Sequence, residues 1–173
     1  MLYLAGGALH GRDPHEAVRQ ELAKLYRAVM GKEMPPLARG PGGKPQFSAG
    51  PLHCSLTHTR QAAFCALSDR PLGLDGEPLD RRISPALAER ILLPEELAEY
   101  HRAADPRRCL LTFWVLKEAY VKYTGQGLPG LMTAGPFTLA SPEGPRGLRF
   151  SLLTREGHIL ALCSPLTEAP RLF

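Results

Sequence analysis

The chain has 173 residues, of which 44% are hydrophobic and 22% are charged, and its formal net charge is +4. This length fits one domain or two small halves that fold together, and the near-average composition excludes a disordered chain and a fibrous repeat. The positive excess is too small to be typical of a nucleic-acid-binding protein. It favours an acidic protein or an anionic small molecule as partner.

Signals for membrane insertion, secretion and metal-binding cysteines are missing from the sequence. No apolar run approaches the ~20 residues of a membrane-spanning helix, and the N-terminal residues do not resemble a secretion signal. We therefore expect a cytoplasmic protein that binds neither membrane nor nucleic acid. The cysteines form no Cys-x-x-Cys pair, so we expect reduced core residues at Cys54, Cys65, Cys109 and Cys163.

The first strongly predicted element is an amphipathic helix near the N-terminus. Asp13 suits the N-cap and Pro14 the first helical position. Apolar residues then recur at helical spacing as far as Val29, and Gly31 is expected to end the helix. A short strand at residues 2–4 is predicted before it.

Short apolar runs follow this helix. They are separated by polar or proline-containing turns, which is the pattern of an antiparallel meander. We predict its strands at residues 52–56, 62–67 and 72–75.

A second long helix and a second group of strands complete the chain. The helix is predicted to begin at Asp105 and to end at Gly125. Three further strands are predicted at residues 137–140, 148–153 and 159–163. Because a long helix with three strands occurs twice, we predict an α+β fold of two similar halves, residues 1–83 and 84–173, each with a long helix packed on an antiparallel sheet.

Two carboxylates end the third predicted strand. Asp75 and Glu77 are two residues apart, so in a strand their side chains project from the same face. Neighbouring carboxylates repel unless a cation lies between them, and oxygen ligands of this kind suit Mg²⁺. The alternative is a solvated turn after a strand, and the spacing alone does not exclude it.

The second predicted helix carries an acid, a base and a large aromatic residue on one stripe. Trp114, Glu118 and Lys122 follow each other at intervals of four residues, with Lys117 beside them. The alternative is an ordinary Glu–Lys pair on a solvated helix. Since neighbouring tyrosines leave little of this helix polar, Glu118 is expected at a boundary or in a cleft.

A possible anion-binding turn surrounds His58. Thr57 and Thr59 place hydroxyl groups on both sides of the imidazole, and Arg60 follows. A lone histidine in a hairpin is more often a surface residue, so this alternative stays open. Lys44, between a glycine and a proline in a loop, is equally ambiguous by itself.

Together, the order and spacing of these motifs resemble those of the 4′-phosphopantetheinyl transferases, in particular the broad-specificity, surfactin-synthetase-activating type. The resemblance covers roughly residues 43–140, and its most specific part is a Trp-x-x-Lys-Glu-x-x-x-Lys helix downstream of Gly-x-Asp-x-Glu. The matching segments are Gly43-Lys44-Pro45, Ser55-Leu56-Thr57-His58-Thr59, Gly73-Leu74-Asp75-Gly76-Glu77, the helix from Phe113 to Lys122, and Gly125-Gln126-Gly127-Leu128.

The resemblance implies a reaction and a general architecture. A Mg²⁺-dependent enzyme would move the phosphopantetheine arm of coenzyme A onto a serine of an acyl or peptidyl carrier protein and release adenosine 3′,5′-bisphosphate. The chain would be a monomer whose two halves are related by a pseudo-two-fold axis, with the active site at their interface.

The resemblance also implies roles for individual residues in catalysis. Asp75, Glu77 and Glu118 would bind the metal. Lys122 would be a catalytic residue that binds the diphosphate, and Glu118 would also take the proton of the serine, directly or through water. A metal and a lysine suit phosphoryl transfer because they neutralise the charge on the diphosphate.

The resemblance implies a further set of residues that would bind coenzyme A. His58, with Thr57, would bind a phosphate, and Lys44 would belong to the loop on the nucleotide side. Arg12 and Arg19 are candidates for the 3′-phosphate.

Carrier docking is implied for the loop after the two strand carboxylates. Arg81 and Arg82 lie there, and carrier proteins are typically acidic around their serine, so we expect these arginines to contribute to docking. A solvated arginine pair is the alternative.

Two other functions compete with the transferase. One is a Mg²⁺-dependent hydrolase of a phosphorylated small molecule, and the other is a non-catalytic basic module that binds an acidic protein or a nucleic acid. A binding module has no need of three carboxylates, which count against it.

Overall fold

The computed structural model describes residues 1–141 and 143–173. Its α-helices are α1 (Pro14–Met30), α2 (Ala88–Ile91), α3 (Pro94–Arg102) and α4 (Pro106–Thr124). Its strands are β1 (Leu2–Ala8), β2 (Leu37–Arg39), β3 (Pro45–Phe47), β4 (His53–His58), β5 (Ala62–Ser68), β6 (Gly73–Pro78), β7 (Arg149–Arg155), β8 (His158–Ser164) and β9 (Arg171–Leu172).

Both long helices form where the sequence predicts them. The carboxylates of Asp13 and Asp105 accept hydrogen bonds from first-turn amides, at 2.8 Å before α1 and 2.9 Å before α4. Gly31 and Gly125 end the two helices in the left-handed region, with φ of 66° and 73°. The predicted caps and stops of these helices are therefore confirmed.

The strands form two main sheets and a small hairpin. The first sheet has the order β4-β5-β1-β9 and the second the order β6-β8-β7, while β2 pairs with β3. Neighbouring strands are antiparallel except for β1 and β9, which are parallel.

The two sheets lie between the two long helices. One core packs α1 on the first sheet and another packs α4 on the second. The sheets meet in a third core, because alternate residues of a strand face opposite sides. In β8, Ile159 and Ala161 belong to the α4 core, whereas Leu160 and Leu162 belong to the core between the sheets. The chain is therefore a mixed α+β protein, as predicted.

The predicted meander is wrong at its third strand. β6 pairs with β8, with Asp75 opposite Ala161, and not with β5. The reason is that β1 already occupies the edge of β5 with which β6 would pair in a meander. β6 contacts β4 through a side chain instead, since the Leu74 amide donates to Ser55 Oγ at 2.9 Å. The pseudo-two-fold axis and the division at residues 83 and 84 stay predictions.

The strand predicted at residues 137–140 is also wrong. This segment is irregular, because its amides donate to helix α3 rather than to a neighbouring strand. Phe137 N donates to Glu96 Oε1 at 2.9 Å, and Leu139 N donates to the carboxylate of Glu99. Strands at residues 148–153 and 159–163 are confirmed as β7 and β8.

Two smaller expectations concern the cysteines and membrane insertion. All four cysteines are buried and free, and burial raises the pKa of the Cys54 thiol to about 12, as expected for reduced core residues. In the described part of the chain, no helix has both the length and the apolar character needed to cross a membrane.

Candidate active site

A cavity of about 320 Å³ opens where α4 ends beside β4. Glu118 and Lys122 contribute from α4, and Leu56 contributes from β4. A loop between β2 and β3 closes the other side with Gly43 and Lys44. Motifs that lie far apart in the sequence therefore line one cavity.

A second cavity, of about 360 Å³, adjoins the first. The two share Gly43, Pro45 and Leu56, so they form one continuous groove, which we call the cleft. Its second part brings basic side chains together from three elements: His15 and Arg19 of α1, Arg39 of β2, and His58 of β4. This end of the cleft suits an anionic ligand.

Asp75 of β6 lies buried beside the first cavity. Its Oδ1 accepts a hydrogen bond from Lys122 Nζ at 2.8 Å and one from Thr57 Oγ1 at 3.3 Å. Its Oδ2 is buried and has no hydrogen-bond partner among the described residues. A buried carboxylate oxygen without a partner is costly, so this atom is where a cation would be favoured.

Glu118 lies within electrostatic reach of Asp75. Burial and, second, the Asp75 carboxylate raise the pKa of Glu118, while Lys122 and Arg81 act in the opposite direction. The buried carboxylate of Asp75 and the half-buried carboxylate of Glu118 thus share one region with Lys122 as the nearby cation. Of the three predicted metal ligands, the structure thus brings Asp75 and Glu118 into one region, together with the predicted diphosphate ligand Lys122.

Glu77 has other partners. Its Oε1 accepts a hydrogen bond from Trp114 Nε1 at 3.3 Å and forms an ion pair with Arg81, whose guanidinium lies 5.1 Å from the centre of the indole ring. Within residues 1–141 and 143–173, no group of three or more His, Cys, Asp or Glu side chains is arranged to hold a metal. The three predicted metal ligands therefore do not form a preassembled cluster.

His58 lies at the basic end of the cleft. Its ring is edge-on to that of His15, with centroids 4.3 Å apart. Burial, and then His15 and Lys122, lower the pKa of His58 from its usual value. Thr57 is the neighbour that donates to Asp75, so it connects this strand to the carboxylates.

The remaining predicted binding residues differ in where their charges lie. Lys44 lines the first cavity, but its Nζ donates to the Leu72 carbonyl at 2.6 Å. Arg19 lines the cleft, whereas Arg12 is bound to Glu21 and to backbone carbonyls at the end of β1. Of the two arginines proposed from the sequence for the 3′-phosphate, Arg19 is therefore the one that lines the cleft.

His15 and Arg39 are cleft residues that sequence reasoning missed. His15 precedes Arg19 by one helical turn, so the two share a face of α1. That spacing was a usable signal for His15. Arg39 had no local signal, because only the fold of the β2–β3 hairpin brings it to the cleft.

Comparisons with known proteins show the family of the chain. The sequence model of the 4′-phosphopantetheinyl transferase superfamily matches residues 71–163, which include β6, α4 and β7. The chain is 36% identical over 98 residues to the 4′-phosphopantetheinyl transferase HetI of Nostoc, covering 51% of this chain and 41% of the relative.

Two further relatives show the same similarity. Over 70 residues the chain is 40% identical to a holo-[acyl-carrier-protein] synthase of Neisseria meningitidis, covering 38% of this chain and 56% of that protein. Over 89 residues it is 33% identical to the 4′-phosphopantetheinyl transferase psf-1 of Bacillus pumilus, covering 50% and 38%. The chain thus spans about half the length of the curated relatives it matches.

Proposed function

Because this chain belongs to the 4′-phosphopantetheinyl transferase superfamily, we propose that it transfers the phosphopantetheine arm of coenzyme A to a serine of an apo carrier protein. The observation that carries the proposal is the Asp75 carboxylate. One of its oxygens is held by Lys122 and the other is buried without a partner in the described structure, beside a cleft with a basic far end. This arrangement suits a diphosphate with a cation.

We further propose that the chain is a 4′-phosphopantetheinyl transferase of the broad-specificity, surfactin-synthetase-activating type. Both parts of the chain line the cleft, since His15 and His58 lie before β6 and Glu118 and Lys122 lie on α4. One chain therefore lines the cleft from both parts of its sequence, which supports the proposal of a monomer. An acyl or peptidyl carrier protein would be the second substrate.

Mg²⁺ fits the carboxylates at this site. It commonly takes one or two carboxylates, together with water and substrate phosphates, so Asp75 and Glu118 would be its protein ligands here. Glu77 would be the third ligand, and it would have to exchange Arg81 for the metal. When bound, Mg²⁺ would neutralise charge on the diphosphate.

The chain's own residues account for the other steps. Lys122 would bind the diphosphate, and the basic end of the cleft would hold the nucleotide phosphates. Glu118, whose pKa is raised, is suited to accept the serine proton. The serine oxygen would form a bond to the phosphorus that carries the pantetheine arm. The bond from that phosphorus to the bridging oxygen would break, and adenosine 3′,5′-bisphosphate would leave.

Nucleotide chromatography tests this function against its alternatives. The protein is incubated with coenzyme A and Mg²⁺, with and without an apo carrier protein. Release of adenosine 3′,5′-bisphosphate only when the carrier is present is expected for the transferase. Release without carrier would indicate a hydrolase, and no release in either reaction would indicate a binding module.

Metal binding should be visible in the fluorescence of Trp114, the chain's one tryptophan. Because Trp114 Nε1 donates to Glu77, recruitment of Glu77 to the metal should change the indole emission. We expect a saturable change when Mg²⁺ is added to the coenzyme A complex, and its absence in the Glu77→Gln variant. A change of equal size in that variant would remove Glu77 from the metal site.

Coenzyme A affinity should depend on the protonation of His58. The pKa of His58 is lowered in the free protein, and a bound phosphate would raise it, so binding takes up a proton between these two values. Affinity should therefore fall, by about tenfold, as pH rises through this window, because a charge-assisted hydrogen bond is lost.

Calorimetric titrations of wild type and His58→Gln isolate this contribution from the titration of coenzyme A itself. The variant should bind with a flatter pH dependence and should match the wild type at high pH. Parallel pH profiles for the two proteins would contradict the role of His58.

Arg82 is the better test of carrier docking, because Arg81 is committed to Glu77 and Trp114. Arg82 is exposed and lines a cavity of about 600 Å³ with Arg107 and Tyr100. Arg82→Glu should raise the KM for an acidic carrier several-fold, more at low salt, because surface charges are screened beyond about 10 Å at 0.1 M salt.

The matched control is Arg146→Glu, which makes the same charge change outside these cavity-lining residues. Both variants should bind coenzyme A as the wild type does. Equal carrier KM values for wild type and Arg82→Glu would show that Arg82 is a solvated surface residue.

A further inference from the structure

Lys44 lines the cleft, but its ammonium group is bonded to the protein. Nζ donates at 2.6 Å to the carbonyl of Leu72, the residue directly before β6. The thiols of Cys54 on β4 and Cys163 on β8 lie nearby, and burial lowers the pKa of Lys44. A buried ammonium group needs a hydrogen-bond acceptor, and for Lys44 the Leu72 carbonyl is that acceptor.

The loop that carries Lys44 is packed directly on the elements of the active site. A Cβ at Gly42 would clash with the carbonyl oxygen of Gly125, at the end of α4. A Cβ at Gly73 would likewise clash with the carbonyl oxygen of Ala119. The loop, the end of α4 and the start of β6 are therefore in close backbone contact, and the Lys44–Leu72 bond connects the loop with β6.

This connection lies close to the proposed catalytic residues. Asp75 lies on β6, three residues after Leu72. Lys122 lies on α4, three residues before Gly125. Because Lys44 and Lys122 line the same cavity, a shift of the loop relative to β6 would change the width of the cleft beside Lys122, the hydrogen-bond partner of Asp75. The loop's position is thus coupled to the place where the diphosphate is proposed to bind.

We propose that Lys44 is a positioning residue: its ammonium group ties the loop to the start of β6 and thereby sets the width of the cleft, and it does not bind a phosphate. The identity of the ligand, coenzyme A, rests on the proposed function. The tie itself is a property of the free protein and can be tested without the ligand.

Amine labelling of the wild-type protein provides the first test. A small acetylating reagent is applied with and without coenzyme A, and the labelled lysines are quantified by mass spectrometry. We expect Lys44 to react slowly in the free protein, compared with exposed Lys24 and Lys32, and to react at the same slow rate with coenzyme A. Fast labelling of Lys44 that coenzyme A suppresses would overturn the proposal.

Variants separate the tie from a phosphate contact. Lys44→Met removes the donor and the charge, Lys122→Met removes a proposed phosphate contact, and Lys32→Met is the surface control. Lys44→Met should weaken coenzyme A binding roughly three- to tenfold, because the loop that has lost its hydrogen bond must be ordered when the ligand binds. The salt dependence of its Kd should stay that of the wild type, whereas Lys122→Met should show a weaker dependence. A weakened salt dependence in Lys44→Met would contradict the proposal.

Hydrogen exchange of the loop amides tests the Lys44–Leu72 bond in the free protein, without coenzyme A. The loop is closed by Gly40 N donating to Lys44 O at 2.8 Å and Gly43 N donating to Gly40 O at 3.0 Å. In the free Lys44→Met protein these amides should exchange faster, while β5 amides keep their protection. Unchanged loop exchange would overturn the tie. Absence of coenzyme A binding by the wild type would instead count against the proposed function.

Discussion

Replacing Glu118 with glutamine should reduce phosphopantetheine transfer by about two to four orders of magnitude, the usual contribution of a general base. The substitution keeps the size of the side chain and removes its charge, so the proposed base and metal ligand are lost together. Initial rates of carrier modification in saturating Mg²⁺ and coenzyme A measure the effect.

The fold should survive this substitution. Glu118 is half-buried at the wall of the cleft, and its carboxylate is repelled by Asp75, so removing the charge relieves repulsion. The variant's urea midpoint should equal or exceed that of the wild type. Glu95→Gln, an exposed glutamate on α3, is the matched control and should transfer at the wild-type rate. A folded Glu118→Gln protein with near wild-type transfer would contradict the assigned role.

Replacing Lys117 with methionine should destabilise the protein by about 3–5 kcal/mol, as expected when one partner of a buried ion pair is removed. Lys117 Nζ lies 2.7 Å from Glu96 Oε2, and both side chains are fully buried. Glu96 also accepts from the amides of Leu93 and Phe137, and Lys117 donates to the Ala134 carbonyl. The Lys117–Glu96 ion pair therefore connects α3, α4 and the segment after α4.

A double-mutant cycle with Glu96→Gln tests whether the loss comes from the unpaired charge. Glu96→Gln removes the carboxylate charge that Lys117→Met leaves unpaired, and glutamine retains a carbonyl oxygen for the Phe137 amide. The double variant should therefore be less destabilised than the sum of the two single variants. Urea unfolding midpoints at constant slope measure each free energy. Additive losses would show that the two side chains act independently.

Local chemistry explains what the sequence predicted well. Asp13 and Asp105 cap their helices through atoms a few residues away, and the four-residue spacing of Glu118 and Lys122 fixes a common helix face. The pairing of β6 with β8 depends instead on which strand edges are already taken, and that is a property of the whole chain. This is why the predicted meander was wrong.

The candidate site divides in the same way. The motifs of the sequence include both Asp75 and Lys122, and the structure brings these two side chains into contact; the metal-binding role of Asp75, Glu77 and Glu118 stays a prediction. The pairing of Glu77 with Arg81 and Trp114, and the inward bond of Lys44, could not be read from motifs. Motifs specify residue type and spacing, whereas these contacts depend on the side-chain partners that folding brings close.

The mass of the intact carrier protein shows whether the phosphopantetheine arm has been transferred. An apo carrier is incubated with the protein, coenzyme A and Mg²⁺, in parallel with a carrier whose acceptor serine is replaced by alanine, and both are measured intact. We predict that the first carrier gains the mass of one phosphopantetheine group and that the alanine carrier gains none. The experiment is repeated with several acyl and peptidyl carriers. If the enzyme is folded and none of these carriers gains mass, the proposed transfer is contradicted.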